Sequence, residues 1–174
     1  MRRVVVFGTT GSGKSWLAER LADRTGLRVV ELDALFWGRD WQPAPVELFR
    51  HRVERETGQE GWIVVGNYGQ VRDLVWRPAD TLVWLDLPLP VVMWRLLRRT
   101  IKRAVTREEL WGTGNRESLV NAFSRNSILL YALKTHRRNR ERFELECGFL
   151  ANEKRVVRLR SRRDIERFVL SPLP

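Results

Sequence analysis

Eight residues near the amino terminus restrict the folds available to this 174-residue chain more than its composition does. They read Gly8-Thr9-Thr10-Gly11-Ser12-Gly13-Lys14-Ser15 and match the pattern G-x-x-x-x-G-K-[ST] at every defined position. The residues before them, Arg3 to Gly8, have the character of a buried strand, and Lys14 to Thr25 has helical periodicity. A strand, a glycine-rich loop and a helix in this order present backbone N–H groups to phosphate.

Each residue type in the loop has a chemical reason. The three glycines permit backbone angles that aim successive N–H groups into one concavity. Lys14 can reach the β- and γ-phosphates of a nucleotide, and the Ser15 hydroxyl can ligate Mg²⁺. The alternative is a chance glycine-rich turn, but pattern and context agree. We therefore expect ATP and Mg²⁺ as cofactors.

Apolar runs alternate with helical patterns along the rest of the chain. Such alternation predicts an α/β fold with parallel strands joined by right-handed crossovers, in one domain spanning 1–174. The expected strands are 3–8, 28–32, 61–65, 81–86 and 155–159, and the expected helices are 14–25, about 46–57, 90–105, 119–144 and 164–170.

Asp33 is the first candidate for acceptor chemistry, because it directly follows the second strand and so lies at the carboxyl edge of the sheet. A carboxylate there can orient an acceptor hydroxyl, take its proton or hold a Mg²⁺-bound water. Asp33 could instead cap the next helix. Trp37, close by, either stacks on a planar acceptor or belongs to the core, and the sequence leaves both open.

Positive charge is concentrated in one internal segment. The chain carries a net charge of +11, and Trp94 to Arg142 holds thirteen Lys and Arg against four acids. Arg95 and Arg99 lie one helical turn apart, just before a stretch at about 105–118 that contains Gly112 and Gly114. We expect a basic lid there that neutralises transferred phosphate, although a solvated helix face is the alternative. Such charge also suits a nucleic acid partner.

Two further features bear on location and metals. No apolar run is long enough for a membrane helix, and the single cysteine, Cys147, agrees with a reducing cytoplasm. The two histidines are isolated, so we expect no metal site beyond Mg²⁺. Nothing in the sequence indicates an oligomeric state.

Several motifs, in this order, are similar to those of small P-loop kinases of the adenylate-kinase and shikimate-kinase type. The resemblance is closest to bacterial adenylate-kinase-like proteins, also described as DNA topology modulation proteins. It rests on the glycine-rich loop, Glu31-Leu32-Asp33-Ala34-Leu35-Phe36-Trp37, Gly66-Asn67-Tyr68, Ala79-Asp80-Thr81-Leu82-Val83-Trp84-Leu85-Asp86-Leu87-Pro88 and Arg160-Ser161-Arg162-Arg163.

The resemblance implies a three-layer P-loop NTPase fold with a five-stranded parallel sheet in the order 2-3-1-4-5 and a basic lid. It implies that Lys14 and Ser15 serve phosphate and Mg²⁺, with Asp33 as second metal contributor. It further implies that Arg95 and Arg99 are lid arginines and that Arg160 and Ser161 belong to an adenine-contacting loop. The substrate-binding residues that it implies are Asp33, Trp37, Gly66, Asn67 and Tyr68. Trp16 stands where these kinases usually carry threonine after the loop serine.

One position departs from the resembled pattern. These kinases often end strand three with Asp-Gly, whereas this chain has Val65-Gly66. The leading expectation is ATP-dependent phosphoryl transfer to a small acceptor such as a nucleoside, a nucleotide or another hydroxyl compound. The alternatives are an ATP-binding regulator associated with nucleic acid and a nucleotide-binding scaffold without turnover.

Overall fold

A parallel sheet of five strands forms the centre of the molecule. The computed structural model describes residues 1–117 and 127–171. The strands of this sheet lie in the order β2-β3-β1-β4-β7, and β5 and β6 form a separate hairpin. Because β7 is the fifth of the sheet's own strands along the chain, the order 2-3-1-4-5 predicted from the resemblance is confirmed. The strands are β1 Arg3–Gly8, β2 Arg28–Glu31, β3 Trp62–Val65, β4 Thr81–Leu85 and β7 Arg155–Leu159.

Helices cover both faces of the sheet and complete the three-layer fold. A short antiparallel hairpin, β5 Glu109–Leu110 and β6 Asn115–Arg116, follows the basic helix Leu89–Thr106. The helices are α1 Lys14–Thr25, α2 Leu32–Phe36, α3 Val46–Thr57, α4 Arg72–Trp76, α5 Leu89–Thr106, α6 Ile128–Leu150 and α7 Arg162–Leu170.

The central strand β1 shows why these runs fold as a buried parallel sheet. Its residues Val4 to Phe7 are fully buried because they alternate between two cores. Val5 and Phe7 pack in the core that includes residues of α3, α4 and α6, whereas Val4 and Val6 pack in the core that includes residues of α1, α5 and α7. The loop after β1 is thus anchored at the middle of the sheet's carboxyl edge.

Two predicted boundaries near the site were wrong. Strand β2 ends at Glu31, because helix α2 begins directly at Leu32. Asp33 therefore lies within the first turn of α2, and the residue at the N-cap is Glu31. The predicted cap role of Asp33 is wrong.

The lid region contains more regular structure than its glycines suggested. Helix α5 runs to Thr106, and the β5–β6 hairpin occupies most of the predicted loop up to Arg116. Residues 118–126, which include the last lid residue and the start of the predicted helix 119–144, lie outside the described residues. The observed helix α6 begins at Ile128 and continues to Leu150. None of the described helices has the length and apolar character needed to cross a membrane.

Candidate phosphate and acceptor site

The glycine-rich loop has a backbone that only glycine adopts easily. Gly8, Gly11 and Gly13 all have positive φ, at 146°, 80° and 96°. A Cβ on Gly8 would lie 2.5 Å from the carbonyl oxygen of Leu85, and one on Gly11 would lie 2.9 Å from the Cβ of Leu96. The loop is therefore a tight backbone cradle that side chains would fill.

Lys14 lies at the rim of this cradle. Its Nζ donates hydrogen bonds of 3.2 Å to the carbonyls of Gly8 and Thr9. Burial lowers the pKa of Lys14 below its usual value, and the positive charge of Arg99 lowers it further. Asp33 and Glu31 raise the pKa and so favour the ammonium form. A poorly solvated ammonium at this place is suited to binding phosphate oxygens.

Ser12 contributes a buried hydroxyl group to the loop. Its side chain is fully buried, and its Oγ has no hydrogen-bond partner among residues 1–117 and 127–171. Its carbonyl accepts a 2.9 Å hydrogen bond from Nη1 of Arg95 on α5. A buried hydroxyl without a partner in a glycine-rich loop fits an anionic oxygen ligand. Arg95 thus holds the loop in place.

Glu31 is a site residue that the sequence reasoning missed. The Ser15 hydroxyl lowers the pKa of the Glu31 carboxylate, but burial is the larger effect and raises that pKa overall. Glu31 is the register partner of Val65 on the neighbouring strand β3. A carboxylate is therefore present one strand away from the expected strand-three aspartate. The register of β2 against β3 identifies this placement, and no local pattern in the sequence indicates it.

Asp33 and Tyr68 form the second half of the site. The Tyr68 hydroxyl donates a 2.6 Å hydrogen bond to Oδ1 of Asp33. Burial and the Asp33 charge raise the pKa of Tyr68 well above its ordinary value, so the phenol stays protonated. The Trp37 side chain counteracts part of this shift in the pKa of Tyr68. Asp33 forms no ion pair within the part of the chain that the structure describes.

Gly66 and Asn67 connect this half to the loop. Asn67 Oδ1 accepts a 3.1 Å hydrogen bond from the backbone N–H of Gly8, and its Nδ2 donates to the Gly8 carbonyl. Gly66 lies against the Leu32 side chain at the start of α2. The contacts of both residues are therefore structural, and Tyr68 is the member of this motif that faces Asp33.

Aromatic side chains surround the Asp33 end. Phe36 packs against Trp37 and Tyr68, with ring centroids 4.9 Å and 4.6 Å apart. Trp37 also meets Trp41, and Trp41 meets Trp111 of the hairpin, at 5.8 Å and 6.0 Å. Trp37 is half-buried and belongs both to the aromatic packing and to the site wall.

The two predicted lid arginines point to different partners. Arg95 binds the Ser12 carbonyl, whereas Arg99 lies 3.5 Å from Oε1 of Glu117. Burial lowers the pKa of Arg99, and the Glu117 and Asp33 carboxylates counteract that shift. Arg99 lies one helical turn beyond Arg95, on the side of α5 that meets the glycine-rich loop, and its charge lowers the pKa of Lys14.

Arg160, Ser161 and Trp16 lie outside this cluster of contacts. Ser161 is the N-cap of α7, where its Oγ accepts a 3.1 Å hydrogen bond from the N–H of Asp164. Arg160 is exposed and lies 3.9 Å from the Asp86 carboxylate. Trp16 is 48% exposed on α1, beside the Arg20 guanidinium.

Comparison with known proteins places this fold among small kinases. No protein-family model matches the chain. A shikimate kinase from Sulfurihydrogenibium sp. (strain YO3AOP1) is 27% identical over 111 residues, and the match covers 55% of this chain and 67% of that kinase.

Two solved structures resemble almost the whole chain. A gluconokinase from Sinorhizobium meliloti 1021 superposes with a TM-score of 0.54 at 19% identity, covering 97% of this chain and 87% of that one. A sugar kinase from Janibacter sp. HTCC2649 gives 0.51 at 20% identity, covering 97% and 92%. At these identities the likeness shows the fold, which is that of P-loop kinases.

Proposed function

We propose that this protein is an ATP-dependent phosphotransferase that moves the γ-phosphate of ATP to a hydroxyl of a small acceptor. The observation that carries the proposal is the Asp33 carboxylate, which accepts a hydrogen bond from Tyr68, forms no ion pair among the described residues, and raises the pKa of the P-loop lysine. A carboxylate that forms no ion pair beside a phosphate cradle is suited to proton transfer. Relatives in sequence and fold are named as kinases, which supports the same class.

The donor site follows from the loop geometry. The three positive-φ glycines, the orphaned Ser12 hydroxyl and Lys14 together fit a triphosphate. Thr9 and Thr10 lie in the same loop and would contribute backbone N–H groups. We assign the nucleoside end to Trp16, Arg160 and Ser161, which the resemblance suggests and which are exposed and available for contact.

The metal site would use oxygen donors on two strands. Mg²⁺ prefers carboxylates, hydroxyls and water. The Ser15 hydroxyl lowers the pKa of the Glu31 carboxylate and the Asp33 charge raises it, so the three groups interact electrostatically. Ser15, Asp33 and Glu31 would therefore hold the ion and its waters, so that Glu31 makes up for Val65. When bound, Mg²⁺ would supply positive charge that neutralises the phosphate groups.

The chain's own residues supply the rest of the reaction. Asp33 would accept the proton of the acceptor hydroxyl as that oxygen bonds to the γ-phosphorus and the bond to the β-phosphate oxygen breaks. Tyr68 orients the carboxylate through its 2.6 Å hydrogen bond. Lys14 and Arg99 would neutralise charge on the transferred group, and Arg95 would fix the loop.

The acceptor would bind between Asp33 and the aromatic wall that includes Trp37 and Tyr68. An aromatic face with an adjacent carboxylate suits both hydroxylated rings and nucleosides. The relatives' names, shikimate kinase, gluconokinase and sugar kinase, favour polyhydroxylated acceptors. We place the reaction in the cytoplasm, where Cys147, buried and with its pKa raised to about 11, would remain an unreactive thiol.

The test is ADP release from Mg·ATP across a panel of sugars, sugar acids, shikimate-like hydroxy acids, nucleosides and nucleoside monophosphates. We expect at least one acceptor to raise turnover well above background in the wild type, and Lys14→Ala to abolish the increase. A panel without any response, with ATP binding intact, would contradict the proposal. It would favour the alternative function, an ATP-binding regulator associated with nucleic acid. The next measurement would then be the salt dependence of binding to duplex DNA.

A further inference from the structure

Glu117 lies just after the hairpin and contacts two arginines of α5. Its Oε1 is 2.9 Å from Nη1 of Arg103 and 3.5 Å from Nη2 of Arg99. The Glu117 side chain is only 13% exposed, and both arginine side chains are largely covered. One mostly buried carboxylate is therefore shared by two guanidinium groups.

The sharing leaves hydrogen-bonding capacity unused. The Arg103 contact is a hydrogen bond, whereas the Arg99 contact is an ion pair of 3.5 Å. The Nε of Arg99 and the Oε2 of Glu117 are both buried and have no hydrogen-bond partner among the described residues. A buried guanidinium N–H without a partner is costly unless a ligand completes it.

Arg99 lies one helical turn beyond Arg95, whose Nη1 donates to the Ser12 carbonyl, and three residues beyond Leu96, which packs against Gly11. The Arg99 guanidinium is therefore on the side of α5 that faces the glycine-rich loop, and its charge lowers the pKa of Lys14. Arg103, one helical turn further on, is drawn towards Glu117 and Glu108, at 2.9 Å and 3.9 Å. The Glu117 carboxylate thus reduces the repulsion between the Arg99 and Arg103 guanidinium groups. It also holds the Arg99 side chain on the side of α5 that faces the glycine-rich loop.

We propose that Glu117 is a positioning residue that aims Arg99 at the γ-phosphate of the bound nucleotide. The proposal rests on the proposed function only in requiring that ATP binds at the glycine-rich loop. Turnover is not needed to test it, because an arginine on the γ-phosphate makes the site prefer ATP over ADP.

The measurement is the ratio of the dissociation constants of Mg·ADP and Mg·ATP, determined by calorimetry without any acceptor. We expect Glu117→Gln to lower this ratio about tenfold, the size of one charge-assisted hydrogen bond. Glu117→Asp, which keeps the charge, should recover part of it. The matched control is Glu108→Gln, which removes an equal charge from Arg103 at a 46% exposed position and should leave the ratio unchanged.

A double-mutant cycle separates positioning from a general structural effect. In an Arg99→Gln background, Glu117→Gln should cause no further loss of the ratio, because its effect passes through Arg99. An unchanged ratio in Glu117→Gln, or an equal loss with and without Arg99, would overturn the proposal. If Glu117→Gln lowers the ratio through Arg99 but the wild type turns over no acceptor, the kinase function is contradicted and the positioning role of Glu117 is not.

Discussion

Asp86 and Asp33 both lie at the carboxyl edge of the sheet, Asp86 just after β4 and Asp33 two residues after β2, yet their surroundings are opposite. Asp86 is only 3% exposed, and Arg158 binds it through Nε and Nη2 at 2.9 Å and 2.8 Å. Arg140 and Arg160 add contacts at 3.3 Å and 3.9 Å. Asp33 has a tyrosine hydrogen bond and no ion pair with any described residue.

The difference separates a structural carboxylate from a chemical one. A buried charge surrounded by guanidinium groups is neutralised, so it stabilises the fold but offers no reactivity. A half-buried charge left without a cation partner costs stability and stays available to a substrate. Both residues lie at the same edge of the sheet. The charged groups around each carboxylate therefore decide whether it has a structural or a chemical role.

The largest effect should come from Asp33→Asn. The amide cannot accept the acceptor proton, so we expect kcat to fall about a thousandfold, the range of general-base catalysis. The dissociation constant of Mg·ATP should change far less than kcat, because Lys14, Ser15 and Glu31 remain. The measurement is acceptor-dependent ADP release beside ATP titration, with the surface variant Asp73→Asn as control. Full activity in Asp33→Asn would remove Asp33 from the mechanism.

The next effect is on stability and concerns Asp86→Asn. Removing the carboxylate leaves Arg158 and Arg140 facing a neutral amide, and we expect the free energy of unfolding to fall by about 3 kcal/mol. Turnover per folded molecule should stay within a few-fold of wild type. Glu144→Gln, which removes the exposed second partner of Arg158, is the control and should cost far less. A large loss of kcat in a stable Asp86→Asn protein would contradict the structural assignment.

A smaller effect is expected from Tyr68→Phe. This change removes the 2.6 Å hydrogen bond that orients Asp33, so kcat should fall about tenfold and stability by about 1 kcal/mol. Steady-state kinetics and urea unfolding measure the two quantities. Tyr131→Phe alters an exposed tyrosine and should be silent. Equal kinetics for both variants would mean that Asp33 needs no orientation.

The smallest effect is the pH dependence that Glu31 contributes. Burial raises the pKa of Glu31 above 4.5, so the folded state holds a proton that the unfolded state has already lost. The free energy of unfolding should therefore decline as pH rises from 4.5 through the raised pKa. Glu31→Gln should lack this part of the decline. Urea unfolding at a series of pH values checks this dependence, with the exposed Glu153→Gln as control. Superimposable profiles for wild type and Glu31→Gln would contradict it.

Short-range patterns in the sequence predicted the glycine-rich loop and the strand and helix on either side of it. The loop from Gly8 to Ser15 is recognisable because its chemistry demands glycine at fixed spacing, and the structure shows positive φ at all three glycines. Strand β1 and helix α1 have the predicted bounds because apolar runs and periodicity are local signals.

Contacts between distant residues account for what the sequence could not predict. Glu31 is read as a metal-site residue only when β2 is placed in register with β3, which sets it opposite Val65. Asp86 is neutralised by Arg140, Arg158 and Arg160, which lie more than fifty residues further along the chain. Helix α2 begins directly after β2, and no Gly, Pro or Asn in the sequence marks the boundary between them. Asp33 therefore lies in the first turn of the helix and not at its N-cap.

The most direct test of the contrast is equilibrium urea unfolding of Asp33→Asn and Asp86→Asn side by side, since neither needs a known acceptor. Both changes replace a carboxylate by an amide at the same edge of one sheet. The account predicts that Asp33→Asn unfolds at the wild-type free energy or above it, whereas Asp86→Asn loses about 3 kcal/mol. Equal losses in the two variants, or a larger loss in Asp33→Asn, would contradict it.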